Sequence, residues 1–329
     1  MKKTALALAI ASAMGVSSSA YAVDFNIDDK TEFSVYGNIQ LKFITQDNAD
    51  GESESALDDN GSTIGFSGEH KFTEGLAGFF KAEFEHRADE EKGAGGLNKG
   101  DQAYLGLKGP FGAIRVGSWD SLYQDAIYDE VDPFETASVS QEADSAEGDT
   151  IAWFSPKFAD QFQVQLGARV RGDGDTGADS TEVGWSAVGK WTPGNFAVHV
   201  GYDDRGGNDS TDANGNTVFD EGSTVGVVAL YDFGALTLGA RYANSSDFTD
   251  TNDTDFIAGL AQYDYSRGSI YGVVQRVDPE GGDSRTEFAA GVSWLFPGSD
   301  NFYVYTEFGM YDQVNDEDDL FEVGAIYEF

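Results

Sequence analysis

Most of this 329-residue chain repeats one pattern. Runs of about ten residues, the length of a tilted strand crossing hydrocarbon, carry an apolar side chain at every second position. Examples are "FSVYGNIQLKF", "FQVQLGARV", "NFAVHVGYD", "ALTLGARYA" and "NFYVYTEFGMY". The connectors alternate in kind. One set is short and turn-like: "KFTEG", "KGPFG", "SPKFADQ", "WTPGN", "YDFGA", "DYSRG" and "FPGSD". The other set is long and acidic: Asp47–Asn60, Ala88–Lys99, Trp119–Gly148, Gly172–Thr181, Asp203–Gly222, Asn244–Thr254, Asp278–Arg285 and Asp312–Asp319. Seven turns and eight loops make fifteen connections, which join sixteen antiparallel strands.

The two faces of these strands decide the architecture. In "QFQVQLGARV", Phe162, Val164, Leu166 and Ala168 lie on one face and Gln163, Gln165, Gly167 and Arg169 on the other. A sandwich core does not tolerate such a polar row, whereas water does. An apolar outside with a polar inside is the pattern of a sheet closed in a membrane, where no strand edge is left unpaired. Short turns at one end and long loops at the other fit the same object. The expected fold is therefore all-β: a transmembrane antiparallel 16-stranded β-barrel with short periplasmic turns and long extracellular loops. Aromatic residues crowd the strand ends, at Trp153, Phe154, Trp185, Trp191, Tyr231, Phe233, Tyr263, Tyr265, Trp294 and Phe296. They are expected to form girdles at the two membrane interfaces.

The first residues, "MKKTALALAIASAMGVSSSAYA", have a basic start, a short apolar core and a small-x-small end at Ala20-Tyr21-Ala22. This reads as a secretory signal peptide over 1–22, cleaved after Ala22, followed by a single barrel domain over 23–329. Such a leader implies export through the Sec pathway. The run is too short to span a bilayer.

Composition narrows the function. With 58 acidic and 20 basic residues the net charge is −38, so nucleic acid is not an expected partner. The 24 Phe, 15 Tyr and 5 Trp argue against disorder. There is no Cys, which removes disulfides, thiolate metal sites and thiol nucleophiles. None of the three His (His70, His86, His199) sits in a recognisable catalytic motif, so enzymatic activity is not expected. The acidic stretches "DNADGESES", "GDGDTGADS" and "DSTDANGNTVFDEG" do not match an EF-hand, and no fixed short repeat marks a calcium-binding solenoid. Neither a cofactor nor a metal is expected.

The closing segment "LFEVGAIYEF" alternates through Phe321, Val323, Ala325, Tyr327 and Phe329 and ends on an aromatic residue. Together with "VYGNIQL", "STIGFSGEHKFTEGLAGFFKAEFE", "DQAYLGLKGPFGAIRVG" and "TIAWFSPKF", in that order, it resembles the Gram-negative general porins. That resemblance covers the whole mature chain. It implies a homotrimeric outer-membrane diffusion channel for ions and small hydrophilic solutes, in contact with membrane lipid and lipopolysaccharide. It also implies that Phe321, Tyr327 and Phe329 are an assembly signal, read by the barrel assembly machinery after delivery by periplasmic chaperones.

In that family the third long loop folds into the lumen and narrows it. The matching segment is Trp119–Gly148, with acids Asp125, Asp129, Glu130, Asp132 and Glu135 around its "DPFE" tip. Glu130 matches a constriction acid. Carboxylates held in a narrow aqueous lumen concentrate cations and repel anions. The family's opposing basic cluster is depleted here: Asn38, Thr63 and Asp101 stand where a base is common, and another such place falls near Glu147. Further pore-wall candidates are Lys42, Glu83, Arg87, Arg115 and Arg169, with Lys81, Arg171 and Arg241 also on lumen parity. The balance implies a preference for cations. A substrate-specific channel is the alternative.

Overall fold

The computed structural model describes residues 22–47, 52–90, 96–97, 99–143, 148–170, 183–204, 208–211, 217–220, 222–247, 253–311 and 319–329. The leader 1–21, the loop Gly172–Thr181, Arg171, and residues 144–147 and 312–318 lie outside that description.

Sixteen staves form one closed antiparallel sheet. β1 is Thr31–Asp47, and β2 joins Ser53–Asp59 to Thr63–Thr73. β3 to β6 are Leu76–Glu85, Lys99–Gly109, Gly112–Ser118 and Thr150–Phe154. β7 to β10 are Phe162–Val170, Val183–Trp191, Phe196–Asp204 and Gly222–Asp232. β11 to β13 are Leu236–Asp247, Thr254–Tyr265 and Gly268–Pro279. β14 and β15 are Arg285–Leu295 and Phe302–Tyr311. β16 is Leu320–Glu328, completed by Val23–Asp28.

Closure uses both ends of the sheet. Leu320–Glu328 pairs with Gln46 back to Asn38 of β1, and Val23–Asp28 pairs with Val35 back to Thr31 on the same edge. Between them Gly37 and Phe329 exchange two backbone hydrogen bonds of 2.9 Å each. The last stave is thus built from two segments far apart in sequence. Periodicity finds a strand but not its edge partner, so this composite escapes a sequence reading. Two further departures from expectation are local. The segment Ser53–Asp59, expected as loop, extends the hairpin against Leu41–Asp47. The loop Asp203–Gly222 carries a small hairpin, Asn208–Thr211 against Thr217–Asp220.

The burial pattern is inverted relative to a water-soluble protein. Large apolar side chains such as Leu105, Leu166, Ile257, Ile270 and Val323 are exposed on the outside, while Gln163, Gln165, Lys190, His199, Gln275, Glu287, Glu307 and Glu322 are buried inside. A continuous apolar exterior of this extent needs an apolar solvent. The aromatic girdle at the short-turn end is a chain of ring contacts from Phe162 through Trp191, Phe196 and Tyr231 to Phe233. A second chain runs from Trp294 through Phe296 and Phe302 to Tyr327. Phe154 is not part of it: the side chain is buried on the lumen face against Arg115. On that inner face tyrosines lie over glycines directly across the sheet, Tyr36 on Gly65, Tyr271 on Gly291 and Tyr305 on Gly324. These rings replace packing the glycines lack.

Candidate functional site: the lumen constriction

The third long connector (loop 3) leaves β5 at Trp119 and rejoins the wall at β6. It does not stay outside. Its short helical turns, Gln124–Tyr128 and Asp129–Val131, bury Leu122, Tyr123, Ala126, Ile127, Tyr128 and Val131 to 2 % exposure or less. A partly polar connector can be buried here because its apolar residues find a fitted surface. Gly201 and Gly226, lumen-facing and paired on β9 and β10, leave a bare patch of wall, and Gly239 on β11 leaves room for Val131. A Cβ on Gly201 would stand 2.8 Å from Ile127 and 2.9 Å from Tyr123, and one on Gly226 would stand 2.8 Å from Ile127. We expect Gly226→Val to displace loop 3, increasing single-channel conductance while leaving heat-modifiable barrel intact. Unchanged conductance would show that the loop tolerates the extra bulk in place.

Polar clamps hold the second half of the loop. Both carboxylate oxygens of Glu307 are engaged: they accept backbone N–H bonds from Glu135 (2.9 Å), Thr136 (3.0 Å) and Ala137 (3.0 Å), and the Tyr271 hydroxyl donates at 2.7 Å. Glu287 accepts the Ser140 N–H (2.7 Å) and hydroxyl (2.6 Å), a Gln275 N–H (3.0 Å) and the Arg285 Nε–H (2.8 Å). Arg241 meets Glu142 at 3.1 Å with both side chains fully buried, and its guanidinium lies 4.6 Å from the Tyr128 ring centroid. His199 Nδ1 reaches the Ala126 carbonyl at 3.0 Å. Glu287 and Glu307 had a visible signal: each is a carboxylate in mid-strand on lumen parity.

The loop acids divide into two groups. Asp125, Asp129 and Glu135 are exposed to the lumen, and Glu130 is half-buried with its carboxylate 3.3 Å from His199 Nδ1. Asp120, also half-buried, accepts from Gln102 Nε2 at 2.9 Å. Asp132 turns into the loop's own fold, hydrogen-bonded to the Ser138 side chain and the Phe134 backbone. Desolvation inside the barrel raises the carboxyls of Asp125, Asp129, Asp132 and Glu135, and mutual repulsion adds to it at Asp125, which Asp120 faces, and at Asp129, which Asp125 faces. Asp125 is pushed up to about 7, Asp129 to about 8, and Glu135, where Glu307 adds repulsion, to about 7.

The wall residues lie as follows. Lys42 donates to Thr136 Oγ1 (2.9 Å) and stands 3.9 Å from Glu322. Asn38 and Thr63 face each other across β1 and β2, with the Asn38 side chain accepting the Thr63 N–H at 3.1 Å. Glu83 pairs with Lys81 at 3.5 Å and is hydrogen-bonded to Asp101. A register shift between Ala82 and Phe84 carries Asp101 to this position. Arg169 is 3.9 Å from Asp203. Arg115 is on lumen parity but roofed, its guanidinium 4.0 Å from the Trp119 ring centroid, 4.7 Å from Tyr104 and 4.8 Å from Phe154. Arg87 corrects the sequence reading. The β3 ladder ends at Glu85, so Arg87 projects into the loop, two-thirds exposed and bonded to Glu90 at 2.6 Å.

A closed sixteen-stave barrel with a polar lumen narrowed by an inserted loop is the architecture of a membrane diffusion channel. Residues 5–316 match the profile of the Gram-negative porin family, and the chain belongs to that family. It is 33% identical over its full length to the whole of a protein named monosaccharide porin from Halomonas sp. The same identity and coverage hold for the major outer membrane protein of Halomonas elongata. Among solved structures it resembles Salmonella typhi OmpF in complex with daunomycin, with TM-score 0.74 and 20% identity over 93% of this chain and all of that one. It resembles the anion-selective porin of Comamonas acidovorans with TM-score 0.74 and 15% identity over 91% of this chain and all of that one. The protein is an outer-membrane porin of the general or sugar-porin kind.

Proposed function

We propose that this porin is a cation-preferring diffusion channel. One observation carries the reading: five loop acids face the lumen while the wall's bases beside them, Lys190 excepted, are paired or roofed. Asp120, Asp125, Asp129, Glu130 and Glu135 surround the narrowed passage. Against them, Lys42, Lys81, Arg169 and Arg241 each stand within 4 Å of an acid, and Arg115 is capped by three rings. The unbalanced field is therefore negative, and low-dielectric walls confine it. The test is a reversal potential across a tenfold salt gradient in a planar bilayer. Its sign should be that of a cation-selective channel at low salt and should shrink as salt rises and screens the acids. An anion-selective sign overturns the reading. The name of the Halomonas relative supports passage of monosaccharides by the same route.

The porin is further proposed to act as a homotrimer in contact with lipid and lipopolysaccharide, with Phe321, Tyr327 and Phe329 as the signal for its assembly. Support for the trimer comes from a trimer form described for a barrel of the same fold, Vibrio cholerae OmpT. Phe321, Tyr327 and Phe329 all point outward, where a membrane-bound factor could read them. Deleting Phe329 should reduce heat-modifiable trimer far more than Asp253→Asn in an exterior loop, with trimer mass read in mild detergent. Equal yields, or a conducting monomer in the parent chain, would refute these assignments.

A further inference from the structure

Beneath loop 3, toward the short-turn end, β7 to β11 enclose a recess of about 70 Å³. That is room for a few waters or for part of a small organic ion, the remainder of which lies in the open lumen beside it. Its polar lining is Lys157, Gln161, Gln163, Lys190, Thr192 and Thr237, with Ala197 and Leu230 behind them. Glu130 and His199 form its roof, and Asp232 lies at its edge.

Two features separate this recess from the rest of the lumen. First, its bases are unoccupied. Lys190 is 8 % exposed, yet among the described residues neither it nor Lys157 makes a hydrogen bond or an ion pair. A buried ammonium without a close counter-ion is costly, and an anion bound beside it would remove that cost. The loop acids that face Lys190, namely Glu130, Asp125 and Asp129, all stand more than 4 Å from it, Glu130 being turned to His199, and Asp232 at the edge accepts the Gly234 N–H at 2.5 Å. Second, His199 is 4 % exposed and its Nε2 has no partner among the described residues. The Ala126 carbonyl can only accept, so Nδ1 carries a proton toward it, and in the neutral ring Nε2 is left as an acceptor. A hydroxyl would satisfy it.

We propose that this recess is a binding subsite for a small hydroxylated carboxylate of sugar-acid size. Its carboxylate lies against Lys190 and Lys157, one hydroxyl donates to His199 Nε2, and the others meet Gln161, Gln163, Thr192 and Thr237. Its carbon chain covers Ala197 and Leu230. The site goes beyond the proposed cation preference, because it sits on the far side of the constriction and does not set the sign of the reversal potential.

The experiment is single-channel recording with gluconate, glucose or propionate added on the short-turn side. Gluconate is expected to produce concentration-dependent interruptions of the current. Glucose, which lacks the charge, and propionate, which lacks the hydroxyls, are each expected to need at least about tenfold higher concentration, a difference of ~1.4 kcal/mol. Lys190→Gln should weaken the gluconate block by about as much, Lys190→Arg should retain it, and Lys71→Gln at a periplasmic turn should leave it unchanged. Equal block by gluconate and glucose, equal block by gluconate and propionate, or full block in Lys190→Gln would each overturn the assignment. Block is read from dwell times, so it is distinguishable from any failure of the selectivity reading, and heat modifiability reports folding of each variant.

Discussion

Glu307→Ala is expected to free the apex of loop 3 and raise single-channel conductance severalfold. Glu307 is almost fully buried and takes three backbone N–H groups from the loop and the Tyr271 hydroxyl. A buried donor left without an acceptor costs about 1–3 kcal/mol, so losing several together exceeds what holds a single loop in place. The barrel itself is held by the backbone ladder of β14, β15 and β16, to which the Glu307 side chain contributes nothing. Heat modifiability is therefore expected to persist. Glu307→Gln offers one acceptor oxygen but turns an NH₂ toward donors, so its conductance should fall between those of the parent and alanine variants. Asp283→Asn, exposed beyond β13, should change nothing. If Glu307→Ala conducts like the parent, then Glu287 and Arg241 hold the loop without it.

Replacing Asp125 and Asp129 with Asn and Glu130 with Gln together is expected to remove most of the cation preference. These three acids face the lumen or its edge, and of the wall bases near them Arg115 is roofed and Lys81 paired, which leaves Lys190 alone to oppose them. A difference of about 1.4 kcal/mol in the cost of bringing in cation and anion is a tenfold permeability ratio, which three ionised carboxylates readily exceed at low salt and pH 9. The same acids give the parent channel a distinctive pH profile. With Asp125 raised to about 7, Asp129 to about 8 and Glu135 to about 7, the lumen gains protons as pH falls from 9 to 6. Cation preference should weaken across that window rather than near pH 4, where ordinary carboxyls titrate. In the triple variant the Glu135 part of this titration should remain, joined near pH 6 by Asp132. The linkage has a definite sign. The docked loop binds these protons more tightly than a free chain, so its docking is most stable at low pH and loses stability as pH rises from about 4 to about 8. A parent profile flat between pH 9 and 6, or a triple variant as selective as the parent, would place the selectivity elsewhere.

The barrel was legible in the residues because a membrane imposes a period-two rule on every spanning strand. Each strand that alternates Val, Leu or Phe with Gln, Gly or Lys declares its two faces locally, and connector length declares the two ends. The same parity placed Lys42, Arg115 and Arg169 inside, and mid-strand carboxylates at 287, 307 and 322 were open to the same reading. Parity ends where the ladder ends, which is why Arg87, two residues past β3, was assigned to the wall and lies outside it. Tertiary structure alone decided what the inward residues meet. No periodicity indicates that Gly201 and Gly226 face each other across two staves beneath Ile127 and Tyr123, or that Val131 closes on Gly239. Nor does it indicate that Glu307 waits 170 residues from the amide of Ala137, or that Val23–Asp28 completes the stave that Phe329 begins to close. Alternation is a property of neighbours along the chain, whereas the constriction is made by groups brought together only when the sheet closes on itself.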